Sequence, residues 1–110
     1  MWWKIGALSG MSAVLLGAFG AHALRAKPWI SPRDLEVWET ACKYQFYHAF
    51  AILMSVNRGN IIAARIFFSG MLIFSGSLYL MILLGEKRLG ILTPIGGLGL
   101  AAGWASLAFM

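Results

Sequence analysis

Charge is scarce in this chain: Asp, Glu, Lys and Arg supply 12% of its 110 residues, and only four of them are acids. A soluble domain carries about a quarter charged residues, so an ordinary water-facing surface cannot be assembled from this composition. The single cysteine, Cys42, excludes an intramolecular disulfide. No Gly-rich phosphate loop, no Ser/His/Asp set and no carboxylate pair within the apolar stretches is present, which leaves phosphoryl transfer and acid–base hydrolysis without their usual residues. Metal-ligand spacing is missing too, because Cys42 and His48 are six positions apart and point to different sides of a helix. No catalytic residue, no metal and no enzyme activity are therefore expected.

What the chain has in quantity is apolar surface, 60% of its residues, with a mean hydropathy of +0.76. Four stretches, Ile5–Leu24, Trp38–Val56, Ile61–Leu84 and Ile91–Met110, each approach the roughly 20 residues needed to cross a ~30 Å hydrocarbon layer. Between them lie three short connections, too little for a soluble catalytic domain. The predicted fold is all-α: one integral membrane domain over residues 1–110, built as a four-transmembrane-helix antiparallel bundle running up-down-up-down. Lys4, the apolar run behind it and Ala21-His22-Ala23 imitate a signal peptide with its cleavage site. The stretch is nevertheless expected to be retained as the first span.

The net charge of +5 arises mainly at span ends, where Arg25, Lys27, Arg33, Lys43, Lys87 and Arg88 gather on the side of the two longer connections. Such cations meet lipid headgroups and set topology, and no nucleic-acid partner is expected. Residues 32–43 form an amphipathic, interfacial start to the second span: Ser31 can cap, Pro32 suits the first turn, and Asp34 and Glu36 complement the helix dipole. The tight polar turn Asn57-Arg58-Gly59-Asn60 makes the second and third spans antiparallel neighbours.

Small residues mark the helix-packing faces, since in lipid they let backbones approach closely. Gly6, Gly10 and Gly17 serve the first span, with Ala13 and Gly20 on the same side; Gly96, Gly99 and Gly103 serve the fourth. The latter set contains a GxxxG match that fits packing within the chain or between two copies. The second span carries no glycine and instead presents Tyr44, Gln45, Phe46, Tyr47, His48 and Phe50.

Polar groups at hydrocarbon depth are costly without partners, so they are the place to seek function. The candidate binding cluster is His22, Gln45, His48, Ser75, Tyr79 and Thr93. Counted at ~1.5 Å per residue, His22, Tyr79 and Thr93 lie roughly 10 Å from the midplane on the loop side, where they could meet. Gln45 falls near the midplane with His48 slightly beyond it, forming the floor of a pocket open to the loops. This cluster fits a headgroup, a quinone ring or a proton-linked solute, or else a hydrogen-bonded network that fixes helix register. Bis-histidine haem ligation is not expected, because the two histidines differ in depth by more than ~10 Å.

Five ordered motifs resemble one family. Gly17-Ala18-Phe19-Gly20-Ala21-His22, Trp38 followed by Tyr44-Gln45-Phe46-Tyr47-His48-Ala49, Phe74-Ser75-Gly76-Ser77-Leu78-Tyr79, Thr93-Pro94-Ile95-Gly96-Gly97 and Gly103-Trp104 are similar to the YgdD-like family, the domain-of-unknown-function 423 group that includes eukaryotic transmembrane protein 256. The resemblance covers almost the whole chain. It implies a small four-helix integral membrane protein of the bacterial cell (inner) membrane, or of a mitochondrial membrane in a eukaryotic member, and it brings no reaction with it. The functional expectation is a non-enzymatic accessory subunit of a larger membrane complex or a lipid- or quinone-binding module. The alternative is a homo-oligomeric small transporter or proton-linked channel. Membrane lipids are the expected partners; no dedicated cofactor is expected beyond a bound lipid or quinone.

Overall fold

Local signals place the helix ends. The computed structural model describes residues 1–110 and is all-helical: α1 (Trp2–Phe19) continuing into a π-helical turn (Gly20–Leu24), α2 (Pro32–Asn57), α3 (Ile61–Leu84), a 3-10 segment (Lys87–Leu92) and α4 (Thr93–Phe109). Ser31 and Asp34 close a reciprocal capping box on α2: the Ser31 hydroxyl accepts from the Asp34 N–H and the Asp34 carboxylate from the Ser31 N–H, both at 3.0 Å. Asn60 Oδ1 accepts from the Ala63 N–H at 2.9 Å and starts α3. α3 ends at Gly85, whose φ of 67° is the left-handed conformation that glycine adopts without strain. In the following loop the exposed Arg88 guanidinium hydrogen-bonds Glu86 and holds its carboxyl below the usual range, so acidification releases the contact.

Trp2–Leu24, Ile61–Leu84 and Lys87–Phe109 are long and apolar enough to cross a membrane. α2 is not among them, although four such spans are expected from the sequence. Arg33, Asp34, Glu36, Glu39 and Lys43 occupy its opening turns, and Gln45 and His48 its middle. Length is not the obstacle, since α2 is the longest helix at 26 residues.

Each helix packs on the next with opposed numbering. Along α1 and α2 the neighbours are Gly6 with Leu53, Gly10 with Ala49, and Gly20 with Trp38. Trp38 leads α2 against α3 by meeting Tyr79 at 4.7 Å between ring centroids, followed by Tyr44 with Phe74 at 4.6 Å and His48 with Phe67 at 5.7 Å. α3 meets α4 through Ser77 with Thr93, Gly70 with Gly99, Phe67 with Gly103, and Asn60 with Ser106. These pairings make successive helices antiparallel. One core of Ala51, Ile52, Ala63, Ala64, Phe67, Met71 and Leu100 lies among α2, α3 and α4, and a second, around Leu24, Trp38 and Ile82, lies near the loops. α1 rests on α2 and reaches α3 through an edge contact between Trp2 and Phe68.

The glycines of α4 are committed within the chain. A Cβ on Gly96 would overlap the Phe74 backbone, and one on Gly103 would lie 2.6 Å from the Phe67 ring. Their opposite number on α3 is Gly70, where a Cβ would come within 2.8 Å of the Leu100 amide nitrogen. Backbone-to-backbone approach of this kind is how helices gain dispersion contacts when lipid supplies no hydrophobic drive. On α1, Gly6 and Gly10 face α2, but Gly17 departs from the expected seam: nothing lies within 4 Å of its would-be side chain. Its neighbours in the chain stay in contact with α2, Leu16 through its carbonyl bonded to Trp38 Nε1 and Gly20 against the Trp38 ring. Overpacking costs about 1–3 kcal/mol, so Gly96→Ala is expected to lower unfolding stability in detergent by about that amount, whereas Gly17→Ala leaves it unchanged. Equal melting of the two variants by circular dichroism would contradict the α3–α4 contact.

Candidate functional site

Gln45 is buried in the middle of α2, and its amide is tied to both flanking helices. Nε2 donates to the Ser9 carbonyl at 2.9 Å and to Ser12 Oγ at 2.7 Å on α1, while Oε1 accepts the Tyr79 hydroxyl of α3 at 2.6 Å. A carbonyl can only accept, so the orientation of the amide follows from Ser9 alone. Ser75 Oγ donates to the Ala41 carbonyl at 2.7 Å one turn away. Every buried side-chain nitrogen and oxygen in the chain has a partner, as a low-dielectric setting requires.

Above this network, α1 and α3 part to leave a groove of about 490 Å³. Ile5, Leu8 and Met11 form one wall, Phe68, Met71 and Leu72 the other, and Ser9, Ser12, Gln45, Ser75 and Tyr79 form a polar floor. Leu8, Met11 and Leu72 are each more than half exposed, so the groove opens sideways on the surface between α1 and α3. It contains no ionisable carboxylate, imidazole, ammonium or guanidinium. Such a site accommodates a neutral, mainly apolar chain and offers hydroxyl and amide groups at its base.

The six residues singled out in the sequence do not form one cluster. Gln45, Ser75 and Tyr79 come together at the groove floor. His48 does not join them; it faces α4, where Trp104 Nε1 donates to His48 Nε2 at 3.2 Å, and Nδ1 lies 2.7 Å from the Tyr44 carbonyl. Because the indole N–H can only donate, Nε2 is the acceptor and Nδ1 carries the proton it gives to Tyr44. Gln45 and His48 share the buried side of α2, yet three positions leave them ~60° apart around the axis. With α1 on one flank and α4 on the other, that angle sends them to different neighbours. His22 stands exposed in the π-helical turn, and Thr93 pairs with Ser77 at 2.6 Å. Similar depth therefore does not bring His22, Tyr79 and Thr93 together, since α1 and α4 lie on opposite sides of the α2–α3 pair. Ser9, Ser12 and Trp104 are the partners missing from the sequence-based cluster. The two serines are three apart on a glycine-rich face, a spacing that places both hydroxyls toward one neighbour.

A family model described as a protein of unknown function, DUF423, matches residues 16–97. The chain belongs to the DUF423 family. It is similar to UPF0382 membrane proteins of Staphylococcus aureus (strain bovine RF122 / ET3-1), at 46% identity, and of Staphylococcus haemolyticus (strain JCSC1435), at 43%, with 94% of this chain and 88% of each relative covered. No solved structure matches. With three helices able to cross a bilayer and relatives named as membrane proteins, this DUF423 chain is a membrane protein, in keeping with a bacterial cell membrane. The matched segment includes Gln45, Ser75 and Tyr79 but stops short of Ser9 and Ser12.

Removing either side of the Gln45–Tyr79 bond strands a buried polar atom. Gln45→Leu and Tyr79→Phe are each expected to destabilise the protein by about 1 kcal/mol, with a coupling of about 0.5–1.5 kcal/mol in a double-mutant cycle. Strictly additive effects would show that the bond does not form in the membrane.

Proposed function

We propose that this DUF423 protein is a non-enzymatic, four-span antiparallel module that holds the apolar chain of a lipid or quinone in the groove between α1 and α3. Support for α2 as the fourth crossing comes from its position. It lies antiparallel between two apolar spans, and the turn at Asn57–Asn60 leads directly from it into α3. Its polar side chains are compatible with hydrocarbon depth because neighbouring helices satisfy them: Gln45 through α1 and α3, His48 through α4 and its own helix.

The observation that carries the ligand reading is the groove itself, apolar along both walls and lined at its base by hydroxyl and amide groups. The floor hydroxyls and the Gln45 amide already donate within the chain, so a lipid or quinol hydroxyl would donate to the lone pairs left on the serine and Tyr79 oxygens, and its chain would lie along Ile5, Leu8 and Phe68. Within a larger assembly the same groove would seat a lipid between this module and its neighbour, consistent with an accessory role. The transporter reading draws less support: Gly96, Gly99 and Gly103 are occupied by α3, and both nitrogens of His48 are already bonded.

Gly76 lines the groove with no atom within 4 Å of a would-be side chain, so Gly76→Leu fills the space without a clash. Mass spectrometry of protein purified in mild detergent is expected to find a lipid or quinone retained in about equimolar amount by the wild type and largely lost from Gly76→Leu. Absence of any retained molecule, or retention indifferent to that substitution, would overturn the proposal.

A further inference from the structure

On the other side of α1 lies a second, chemically different surface. Beside the π-helical turn a cleft of about 190 Å³ opens between α1 and α2, with Gly17, Gly20 and Trp38 at its base and Arg25, Glu39 and Lys43 around it. The chain's two ion pairs are Arg33–Glu36 and Glu86–Arg88, which leaves Arg25 and Lys43 without a carboxylate partner. Two cations against one acid give the cleft a surplus positive charge. Lys43 stands five residues further into α2 than Trp38, roughly 7 Å deeper along the axis. An ammonium at that depth needs either an anion or a path to the headgroups.

The cleft does not end at Lys43. A shallow apolar furrow of about 310 Å³ follows the same α1–α2 seam, with Gly10 and Val14 on α1 and Phe46 and Phe50 on α2. Gly10, Val14 and Gly17 are spaced three and four apart, so furrow and cleft share one face of α1. From Ala7 to Ala21 that face runs roughly 21 Å, about two-thirds of the ~30 Å hydrocarbon layer. A charged recess at one end of an apolar channel of that length has the polarity of a single phospholipid.

We propose that this seam is a site for one anionic phospholipid, with its phosphate between Arg25 and Lys43 and one acyl chain along Gly10, Val14, Phe46 and Phe50. Basic recesses at the edge of membrane helices bind anionic headgroups through the same combination of charge and partial desolvation. Glu39 works against that preference, since its carboxylate can pair with the choline of a zwitterionic headgroup, so selectivity for an anionic lipid rests on the excess of two cations over one acid. The site is separate from the α1–α3 groove, which carries no charge, and does not depend on what that groove holds.

The test uses the full chain in mixed micelles of phosphatidylglycerol and phosphatidylcholine in equal amounts, with bound lipid read by native mass spectrometry. Wild type is expected to retain one phosphatidylglycerol with a preference of about fivefold per cation, and Arg25→Gln with Lys43→Gln to bring the preference close to one. Gly17→Leu, which meets no atom within 4 Å, fills the cleft and is expected to reduce phosphatidylglycerol retention while leaving a ligand of the α1–α3 groove in place. Gly76→Leu should do the reverse. That variant pair keeps the test decisive even where the double charge substitution prevents folding. Equal retention of the two lipids by the wild type would overturn the proposal. So would a preference that survives Arg25→Gln with Lys43→Gln, or one lost equally on Lys87→Gln with Arg88→Gln.

Discussion

Polar groups removed from water must find partners inside the protein, and in this molecule that requirement converges on Gln45. One amide on α2 bonds a carbonyl and a hydroxyl of α1 and a phenol of α3, so three helices are held in register by one side chain. In a solvent that offers neither donors nor acceptors, the alternative to this arrangement is an unsatisfied amide. The individual bonds are modest in a membrane. Their value lies in what they exclude, since α1 cannot slide or rotate on α2 without breaking two of them at once. Gln45 lies at the floor of the groove that remains between α1 and α3.

The remaining contacts divide by size. α2 brings bulk, and α1 accommodates it: Gly6 sits under Leu53, and Gly20 makes room for the Trp38 ring, whose Nε1 then reaches the Leu16 carbonyl at 2.8 Å. α3 and α4 use the opposite arrangement, glycine against glycine, and come close enough for backbone contact. A tight α3–α4 pair and a looser α1 joined by polar bonds follow from this difference. Both candidate ligand surfaces lie along α1.

How much of this was legible in the sequence depends on whether a feature is local. The Ser31–Pro32–Asp34 start of α2, the Asn57–Asn60 turn and the glycine face of α4 are written in neighbouring residues, and each appears where expected. Depth along a span is nearly as accessible, because it needs only a count of residues. Which helix stands beside which is not: His22, Tyr79 and Thr93 share a depth but not a side of the molecule. His48 was separated from Gln45 for the same reason, by an angle that matters only once α4 is known to lie opposite α1. The π-helical turn and the idle Gly17 beside it had no sequence signal, since Gly20–Leu24 is as compatible with a regular helix as the residues before it.

The central claim is that α2 crosses the bilayer with its polar groups matched by its neighbours, despite being the least apolar of the four helices. Nitroxide labels along its outer face, at Glu36, Tyr47, Phe50, Met54 and Asn57, measure this directly in liposomes through collision with oxygen and with a water-soluble nickel chelate. The account predicts high oxygen and low nickel accessibility at Phe50, with the balance shifting toward nickel at Glu36 and Asn57. Nickel accessibility at Phe50 as high as at those two ends would place α2 in water and contradict it.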